Sequence, residues 1–293
     1  MKIAIYGQYF NPENKIYVEE LLQALKIHHI EFVIENHYYL GLKKYFPTLN
    51  AETFSSHTEL DTSFDFMFTV GGDGTILRAV TYIRDSNIPI VGINIGRLGF
   101  LATVKKEEIA TAIELLSQKK YLIHKRTLLN VTTTPTIDGL CSLNFALNEV
   151  SISRKNTASM ITIETYLDHE YLTSYWADGL IISTPTGSTG YSLSCGGPIL
   201  LPQAKSFVLT PIAPHNLNAR PLVIPDGTKI KLSVRGRENK FFLSLDSRIT
   251  TIDSKTEVFI EKSPFNLKIV EINQQTFIKT LRDKLLWGQD VRN

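Results

Sequence analysis

Apolar and polar residues follow two different rhythms along the 293 residues of the chain. In the first half, the short apolar runs KIAIYG, IEFVIE, FDFMFTV and IPIVGINI predict four strands. Between or after them, apolar residues recur at helical spacing over residues 12–28, over about 75–84 and in KKEEIATAIELLSQKK. This succession predicts an α/β N-terminal domain with a doubly wound, mostly parallel sheet.

In the second half, strand-like segments follow one another with few helical patterns between them. Gly, Pro, Asn and Asp turn signals separate SLNFALNEVSIS, MITIETYL, YLTSYWA, GLIIST, FVLTPIA, TKIKLSV, KFFLSLD and TEVFIEK. These segments predict an all-β, sandwich-like C-terminal domain. We expect the two domains at residues 1–120 and 121–275, with a last helix at 276–287 that packs back on the first.

Composition and charge narrow the possible functions. Apolar residues make up 43% of the chain, charged residues 20%, and the formal net charge is +2, which is too balanced for nucleic-acid binding as the main task. Cys141 and Cys195 give neither a disulfide framework nor a metal-ligand spacing. No signal peptide or apolar run of membrane-spanning length is recognisable. We therefore expect a cytoplasmic protein that binds neither nucleic acid nor membranes and has no metal site of its own.

The sequence GGDGT, residues 71–75, joins the third predicted strand to a helix. Glycine-rich turns at this position bind phosphates through backbone N–H groups and the positive helix end, so a carboxylate there is unexpected. The Walker pattern and the G-x-G-x-x-G pattern are both absent. Three roles remain open for Asp73: it pairs with a divalent cation, accepts the proton of an attacking hydroxyl, or is an ordinary turn residue or cap.

A second polar stretch, WADGLIISTPTGSTGYSLSCGGPIL, begins at Trp176. Its hydroxyls and glycines offer many hydrogen-bond donors to a polar ligand, and the ring of Tyr191 is suited to stacking on a base. Asp178 lies just before the strand of this stretch, as Asp73 lies just after one. The alternative is a long solvated turn between strands.

Further polar residues interrupt apolar strands. Asn148 and Glu149 would cost stability if buried without partners, so they lie at a strand end or face a polar ligand such as an adenine edge and ribose hydroxyls. The glycines of GRLGF follow a strand, where α/β sheets bind ligands, and Phe100 either lines a pocket or packs in the core. His215 lies among prolines near a strand end, whereas Asp246 looks like an ordinary strand-turn residue.

Taken together, these segments resemble the bacterial type of NAD kinase. The resemblance rests on GGDGT at 71–75, GRLGF at 96–100, NE at 148–149, DGLIISTPTGSTGYSLS at 178–194, GGP at 196–198, APHNLNARPLVI at 213–224 and LD at 245–246. They occur in the family's order and spacing and cover nearly the whole chain. GGDGT alone is similar to diacylglycerol, sphingosine and phosphofructo-kinases, but the long stretch from Ser183 to Ser194 is not typical of those.

The resemblance implies transfer of the γ-phosphoryl group of ATP to the 2′-hydroxyl of the adenosine ribose of NAD, giving NADP and ADP. It also implies Mg²⁺ that accompanies ATP, and a homodimer or homotetramer. Asp73 matches the family's proton acceptor, Asn148 and Glu149 its contacts to adenine and ribose, and Asp178 a contact near the nicotinamide. The residues expected to bind the substrates are Gly74, Arg78, Phe100, Asn148, Glu149, Asp178, Thr189, Gly190, Tyr191, Ser192, Leu193, Ser194, Ala213 and His215.

Three positions depart from the family's usual residues. Gly190 replaces a common Ala, Trp176 replaces a basic residue found in some members, and Arg248 replaces a common Gln. Two other functions remain as alternatives. A lipid or sugar kinase with the same turn would be distinguished by a panel of acceptors with labelled ATP, and a non-catalytic dinucleotide sensor has no need for a base such as Asp73.

Overall fold

The computed structural model describes residues 1–140, 142–156, 159–272 and 276–286. The chain divides into two compact units, Met1–Lys125 with Leu267–Asn293, and Arg126–Asn266. The first change of unit therefore lies a few residues beyond the boundary expected near residue 120. Cys141, residues 273–275 and residue 287, which the expectations above include, lie outside the described residues.

A parallel sheet forms the centre of the first unit. Its strands are β1 Lys2–Gly7, β2 Glu31–Glu35, β3 Glu52–Phe54, β4 Phe66–Val70, β5 Ile90–Asn94 and β6 Val104–Lys105. They are ordered β3-β2-β1-β4-β5-β6, and the pairings between them are parallel. β4 and β5 are buried along their whole length, as expected for strands covered on both faces. The predicted α/β domain with a doubly wound, mostly parallel sheet is confirmed.

Helices follow the strands of this unit: α1 Lys15–Ile27, α2 Asn36–Lys43, α3 Asp73–Ile83 and α4 Ile109–Ser117. α1 forms because Val18, Leu21 and Leu25 share one face, which packs into the core. α3 begins at Asp73, two residues before the predicted start. The carboxylate of Asp73 therefore lies in the first helical turn, where the helix dipole favours negative charge.

Antiparallel sheets form the second unit. Its strands are β7 Leu122–Thr134, β8 Phe145–Ala146, β9 Glu149–Arg154, β10 Ile161–Leu167, β11 Glu170–Ala177, β12 Gly179–Ser183, β13 Ser206–Ile212, β14 Leu222–Pro225, β15 Ile230–Arg235, β16 Lys240–Leu245, β17 Arg248–Asp253 and β18 Glu257–Glu271. One sheet has the order β14-β13-β12-β9-β16-β17, and the other contains β11-β10-β15-β18. Ile163 and Leu232 of one sheet share a buried core with Ile152 and Leu243 of the other, so the predicted sandwich is confirmed.

β7 begins and β18 ends in the first unit, where Ile269 of β18 pairs in parallel with Ile90. A C-terminal helix, α6 Phe277–Leu285, follows in the same unit. Thr276 caps it by accepting the N–H of Lys279. Among the described residues, no helix is long and apolar enough to cross a membrane.

Candidate active site

The GGDGT turn connects β4 to α3 and leaves its backbone open to solvent. Gly71 is required by packing, because a Cβ there would lie 2.1 Å from Oγ1 of Thr75. Gly72 and Gly74 are exposed, and a Cβ on either would meet no atom within 4 Å. The absence of side chains at these two positions leaves the N-terminus of α3 accessible to an anion.

The carboxylate of Asp73 is held by a second glycine-containing segment. Its Oδ2 accepts the N–H of Phe100 at 2.7 Å, and its Oδ1 accepts the N–H groups of Leu101 and Ala102 at 3.0 Å each. A Cβ at Gly99 would lie 1.8 Å from Oδ1, so only glycine permits this approach. Since a carboxylate offers about four acceptor sites, about one remains for another partner.

Phe100 and Arg78 lie in the same unit as Asp73. The N–H of Phe100 serves Asp73, while its ring lies 5.7 Å from that of Phe277 and has Nζ of Lys284 4.9 Å from its centroid. The ring thus packs within the unit, which favours the second of the two roles expected for it. Arg78 is exposed on α3, one turn after Gly74.

In the second unit, Asn148 and Glu149 place unpartnered polar atoms at the start of β9. Oδ1 of Asn148 and Oε2 of Glu149 are buried and have no hydrogen-bond partner within the described residues. Burial, and then the negative charge of Asp246, raise the pKa of Glu149 to about 8. Both features fit the expectation that the pair lies at a strand end and faces a polar ligand.

The stretch after β12 is not a solvated turn. Its hydroxyls were expected to be available as donors to a ligand, and this expectation is corrected for three of them, which form hydrogen bonds within the protein. Oγ1 of Thr184 donates to the carbonyl of Leu147 at 2.6 Å, and Oγ of Ser188 donates to that of Pro185 at 2.7 Å. Oγ of Ser192 lies 2.8 Å from Oγ1 of Thr210 and is buried. These hydroxyls fix the shape of the stretch, so what it presents to a ligand is mainly backbone.

A short helix, α5 Tyr191–Ser194, follows Gly190. A Cβ at Gly190 would lie 3.3 Å from Oε2 of Glu149 and 3.4 Å from Nδ2 of Asn148. Burial first, and then the charges of neighbours including Glu149, raise the pKa of Tyr191, while 46% of the residue stays exposed. The side chains of Asn148 and Glu149 therefore converge beside Gly190, next to an aromatic ring that is free to stack.

The other residues expected to bind the substrate lie around this stretch. Thr189 donates its hydroxyl to the carbonyl of Thr186, Leu193 is partly buried and Ser194 is exposed. The hydroxyl of Thr189 is therefore engaged within the stretch, whereas Leu193 and Ser194 keep exposed atoms.

Asp178 lies between β11 and β12 and forms an ion pair with Arg154, at 2.9 Å. Both side chains remain partly exposed. The chain beyond β13 returns beside it, because the N–H of His215 donates to the carbonyl of Trp176 and the two rings lie 4.7 Å apart. Ala213 precedes this turn with a φ of 43°. Asp178, Ala213 and His215 thus occupy one neighbourhood of the second unit.

Asp246 lies in the turn between β16 and β17, as expected, but the partners of its side chain were not expected from the sequence. Its side chain is only 4% exposed. It accepts the N–H groups of Leu147, Asn148 and Glu149 at 2.9, 2.7 and 3.2 Å. Burial raises its pKa, while these hydrogen bonds and the charge of Arg248 oppose the shift. No local sequence pattern predicts these partners, because they lie almost one hundred positions away in the sequence.

Two family models match the sequence, the ATP-NAD kinase N-terminal domain over residues 8–121 and the ATP-NAD kinase C-terminal domain over residues 147–272. The chain belongs to the ATP-NAD kinase family. Among its curated relatives, the NAD kinase of Flavobacterium psychrophilum is 56% identical over 294 residues. That of Flavobacterium johnsoniae is 53% identical over the same length, and each comparison covers all of both chains.

Two solved structures of kinases show the same fold. An NAD kinase from Archaeoglobus fulgidus, in complex with ATP, has a TM-score of 0.77 and 26% identity over 98% of this chain and 99% of its own. A yeast NADH kinase, complexed with NADH, has a TM-score of 0.87 and 22% identity over 100% of this chain and 89% of its own. The second likeness concerns the fold alone.

Membership in the ATP-NAD kinase family assigns a reaction class. The chain is a phosphotransferase that phosphorylates NAD, the step that forms NADP. This decides against both alternatives left by the sequence, the lipid or sugar kinase and the non-catalytic sensor.

Proposed function

We propose that the chain transfers the γ-phosphoryl group of ATP to the 2′-hydroxyl of the adenosine ribose of NAD, with Asp73 as general base. The observation that carries this proposal is the environment of Asp73, a backbone-held carboxylate with about one acceptor site left at an open helix N-terminus. The use of ATP is supported by the ATP in the Archaeoglobus fulgidus structure, and the use of NAD by membership in the family.

In the proposed reaction, the ribose hydroxyl oxygen attacks the γ-phosphorus of ATP. The bond from that phosphorus to the β,γ-bridging oxygen breaks, ADP leaves, and the hydroxyl proton passes to the remaining acceptor site of Asp73. General-base assistance of this kind contributes about 10²–10⁴-fold. Holding the hydroxyl in line with the phosphate supplies much of the rest.

The N-terminus of α3 is suited to the phosphates of ATP, because Gly72 and Gly74 expose its backbone N–H groups. No three His, Cys, Asp or Glu side chains of the described residues come together as a metal site. Mg²⁺ typically binds to nucleotide phosphates with one or two carboxylates and water. It would arrive with ATP and offset the charge of the transferred group beside Asp73.

We assign the adenosine part of NAD to the neighbourhood of Asn148 and Glu149, with Tyr191 stacking on the base. One buried oxygen of each of the two side chains has no hydrogen-bond partner among the described residues. Asp178, Ala213 and His215 are assigned to the nicotinamide end. The remaining residues proposed to line the substrates are Gly74, Arg78, Thr189, Gly190, Ser192, Leu193 and Ser194, whereas Phe100 is proposed to act through its N–H on Asp73. Ser192 contributes backbone only, because its hydroxyl is engaged with Thr210.

The test uses ATP labelled at the γ-phosphate with NAD, its 2′-deoxyadenosine analogue and its 3′-deoxyadenosine analogue. We expect label in the dinucleotide with NAD and with the 3′-deoxy analogue, and none with the 2′-deoxy analogue. Labelling of the 2′-deoxy analogue would show that the acceptor hydroxyl is a different one. Parallel reactions with inorganic polyphosphate and with NADH establish the donor and the acceptor redox state.

The assembly belongs to the same proposal. A homodimer or homotetramer would have two or four times the chain mass of 33.1 kDa. Light scattering on the purified protein distinguishes these states from a monomer.

A further inference from the structure

The hairpin that joins β16 to β17 reaches the segment before β9 through several hydrogen bonds. Besides the three N–H groups that its carboxylate accepts, Asp246 donates its own N–H to the carbonyl of Glu149 at 2.9 Å. Arg248, across the same turn, donates to the carbonyls of Leu143 and Phe145. The hairpin tip therefore holds both ends of the segment that leads into β9.

The hydrogen bonds of Asp246 to residues 147–149 determine where the side chains of Asn148 and Glu149 lie. With three successive N–H groups fixed on one carboxylate, the backbone at Asn148 and Glu149 has little freedom, and both side chains converge beside Gly190. We propose that Asp246 is a positioning residue for dinucleotide binding. It holds this backbone so that the oxygens of Asn148 and Glu149 that have no partner among the described residues meet the same ligand. The inference rests on the proposed function, since it takes that ligand to be NAD.

Asp246 has a second effect on Glu149, through charge. Among the described residues, the titratable groups that face Glu149 are Asp246 from the hairpin and Tyr191 from α5, and Arg248 lies 4.0 Å from Asp246 on its other side. Burial and the charge of Asp246 raise the pKa of Glu149 to about 8. Near neutral pH, Glu149 therefore carries a proton and both donates and accepts hydrogen bonds.

Calorimetric titration of NAD into wild-type protein and Asp246→Asn tests the positioning role. Asn keeps the size but replaces one acceptor oxygen by a donor that opposes an N–H group. We expect the Kd for NAD to rise about tenfold or more, the scale of a lost hydrogen bond to a charged group, while the Kd for ATP stays within about threefold. An unchanged Kd for NAD in a folded variant would overturn the proposal.

Asp168→Asn is the matched control. Asp168 lies in another hairpin of the second unit, has positive φ like Asp246, and its side chain accepts the N–H of Lys229 at 2.9 Å. It holds no residue of the proposed site, so its variant should bind NAD like wild type. Equal losses of NAD affinity in both variants would mean that any lost turn contact has this effect, against the proposal.

A pH series separates positioning from general destabilisation. In wild-type protein, the Kd for NAD should show a break near pH 8, and Glu149→Gln should remove it. Asp246→Asn should move the break to lower pH, because it removes the charge that raises the pKa of Glu149. A variant that only loosened the fold would leave the break in place, and that result would overturn the proposal.

Hydrogen exchange on the free wild-type protein keeps the inference testable if Asp246→Asn fails to fold. The amides of residues 147–149 should already be protected without NAD. Protection that appeared only with NAD would overturn the proposal. NADP formation by the wild-type protein is measured separately, so a failure of the proposed function is recognised independently of the exchange result.

Discussion

Each unit of the protein contains a carboxylate that holds three successive backbone N–H groups. In the first unit Asp73 holds residues 100–102, and in the second Asp246 holds residues 147–149. The hydrogen-bond pattern is nearly the same, but the surroundings differ. Asp73 is partly exposed at a helix N-terminus, whereas the side chain of Asp246 is 4% exposed and lies beside Arg248.

The difference shows that the hydrogen bonds of a carboxylate do not by themselves define its role. The access of a substrate to the carboxylate defines that role. A base must contact the proton that it removes, whereas a positioning residue needs contact only with the backbone that it holds. Asp73 holds a loop and has about one acceptor site left, which the proposed reaction uses for the substrate hydroxyl. Asp246 has the hold alone, and it affects a ligand only through Asn148 and Glu149.

Replacing the carboxylate of Asp73 should change catalysis most. Asp73→Asn keeps the shape of the side chain but cannot accept the proton, so kcat should fall by about 10²–10⁴-fold with the Kd for NAD nearly unchanged. Steady-state kinetics and calorimetry measure the two quantities. Asp246→Asn should show the opposite division, with NAD affinity lost first.

Asp65→Asn controls for the loss of a backbone hydrogen bond in the same unit, since Oδ2 of Asp65 accepts the N–H of Lys2 at 2.8 Å. It should retain wild-type kcat. If Asp73→Asn kept more than about a tenth of wild-type kcat, the effect would be too small for a general base.

Glu149→Gln tests the effect of burial and of Asp246 on the pKa of Glu149. Because the pKa of Glu149 is raised to about 8 when folded, the native state binds more protons than the unfolded state, and stability is lost as pH rises from about 4.5 towards 8. Gln does not titrate. The free energy of unfolding of Glu149→Gln relative to that of the wild-type protein should therefore increase by roughly 2–4 kcal/mol between pH 5 and pH 9.

Denaturant titrations across this pH range measure that growth. Glu164→Gln is the control, because Glu164 lies on β10 of the same unit and pairs with Arg235 at 3.5 Å. A difference between Glu149→Gln and wild type that stayed flat from pH 5 to pH 9 would show that Glu149 is ionised normally.

Asp178 is a third carboxylate, held by a cation rather than by N–H groups. If it binds the nicotinamide end, Asp178→Ala should weaken NAD binding by about 1.5–3 kcal/mol, seen as a raised KM for NAD. Melting temperature should change little, because a partly exposed ion pair contributes only about 0–1 kcal/mol. Arg154→Ala breaks the same pair but keeps the carboxylate. A destabilised Asp178→Ala protein with wild-type KM would remove Asp178 from the site.

The smallest expected effect is at Gly190, which borders the side chains that Asp246 positions. A methyl group would approach the carbonyl of Gly187 to 3.2 Å. Gly190→Ala should therefore cost less than about 1 kcal/mol of NAD binding, or up to about fivefold in KM. Gly227→Ala, where a Cβ meets no atom within 4 Å, should leave KM unchanged.

Local sequence patterns predicted much of the fold but few of the hydrogen bonds within the candidate site. The apolar runs gave β1, β2, β4 and β5 because strand burial is periodic in the sequence itself. The short strands β3 and β6 were missed, since two or three residues carry no periodicity. The GGDGT turn was recognisable because glycines mark a backbone requirement.

The partners of Asp73 and Asp246 were not predictable in this way. They are backbone N–H groups about 27 and 98 positions distant, and every residue except proline has such a group. The hydroxyls of Thr184, Ser188 and Ser192 were misjudged for a related reason. A polar side chain has the same appearance in a sequence whether it faces a ligand or a neighbouring carbonyl.

The three N–H groups on Asp73 also bear on how the protein tolerates mutation. Substitutions at Phe100, Leu101 or Ala102 change side chains but leave the main-chain donors in place, so scanning these side chains would not reveal the partners of the proposed general base. Among the possible substitutions at these three positions, only proline removes the main-chain donor. In this arrangement, Asp73 depends on its carboxylate and Gly99 on its lack of a side chain, because a Cβ there would lie 1.8 Å from Oδ1 of Asp73. The three donors are main-chain groups that almost every amino acid supplies.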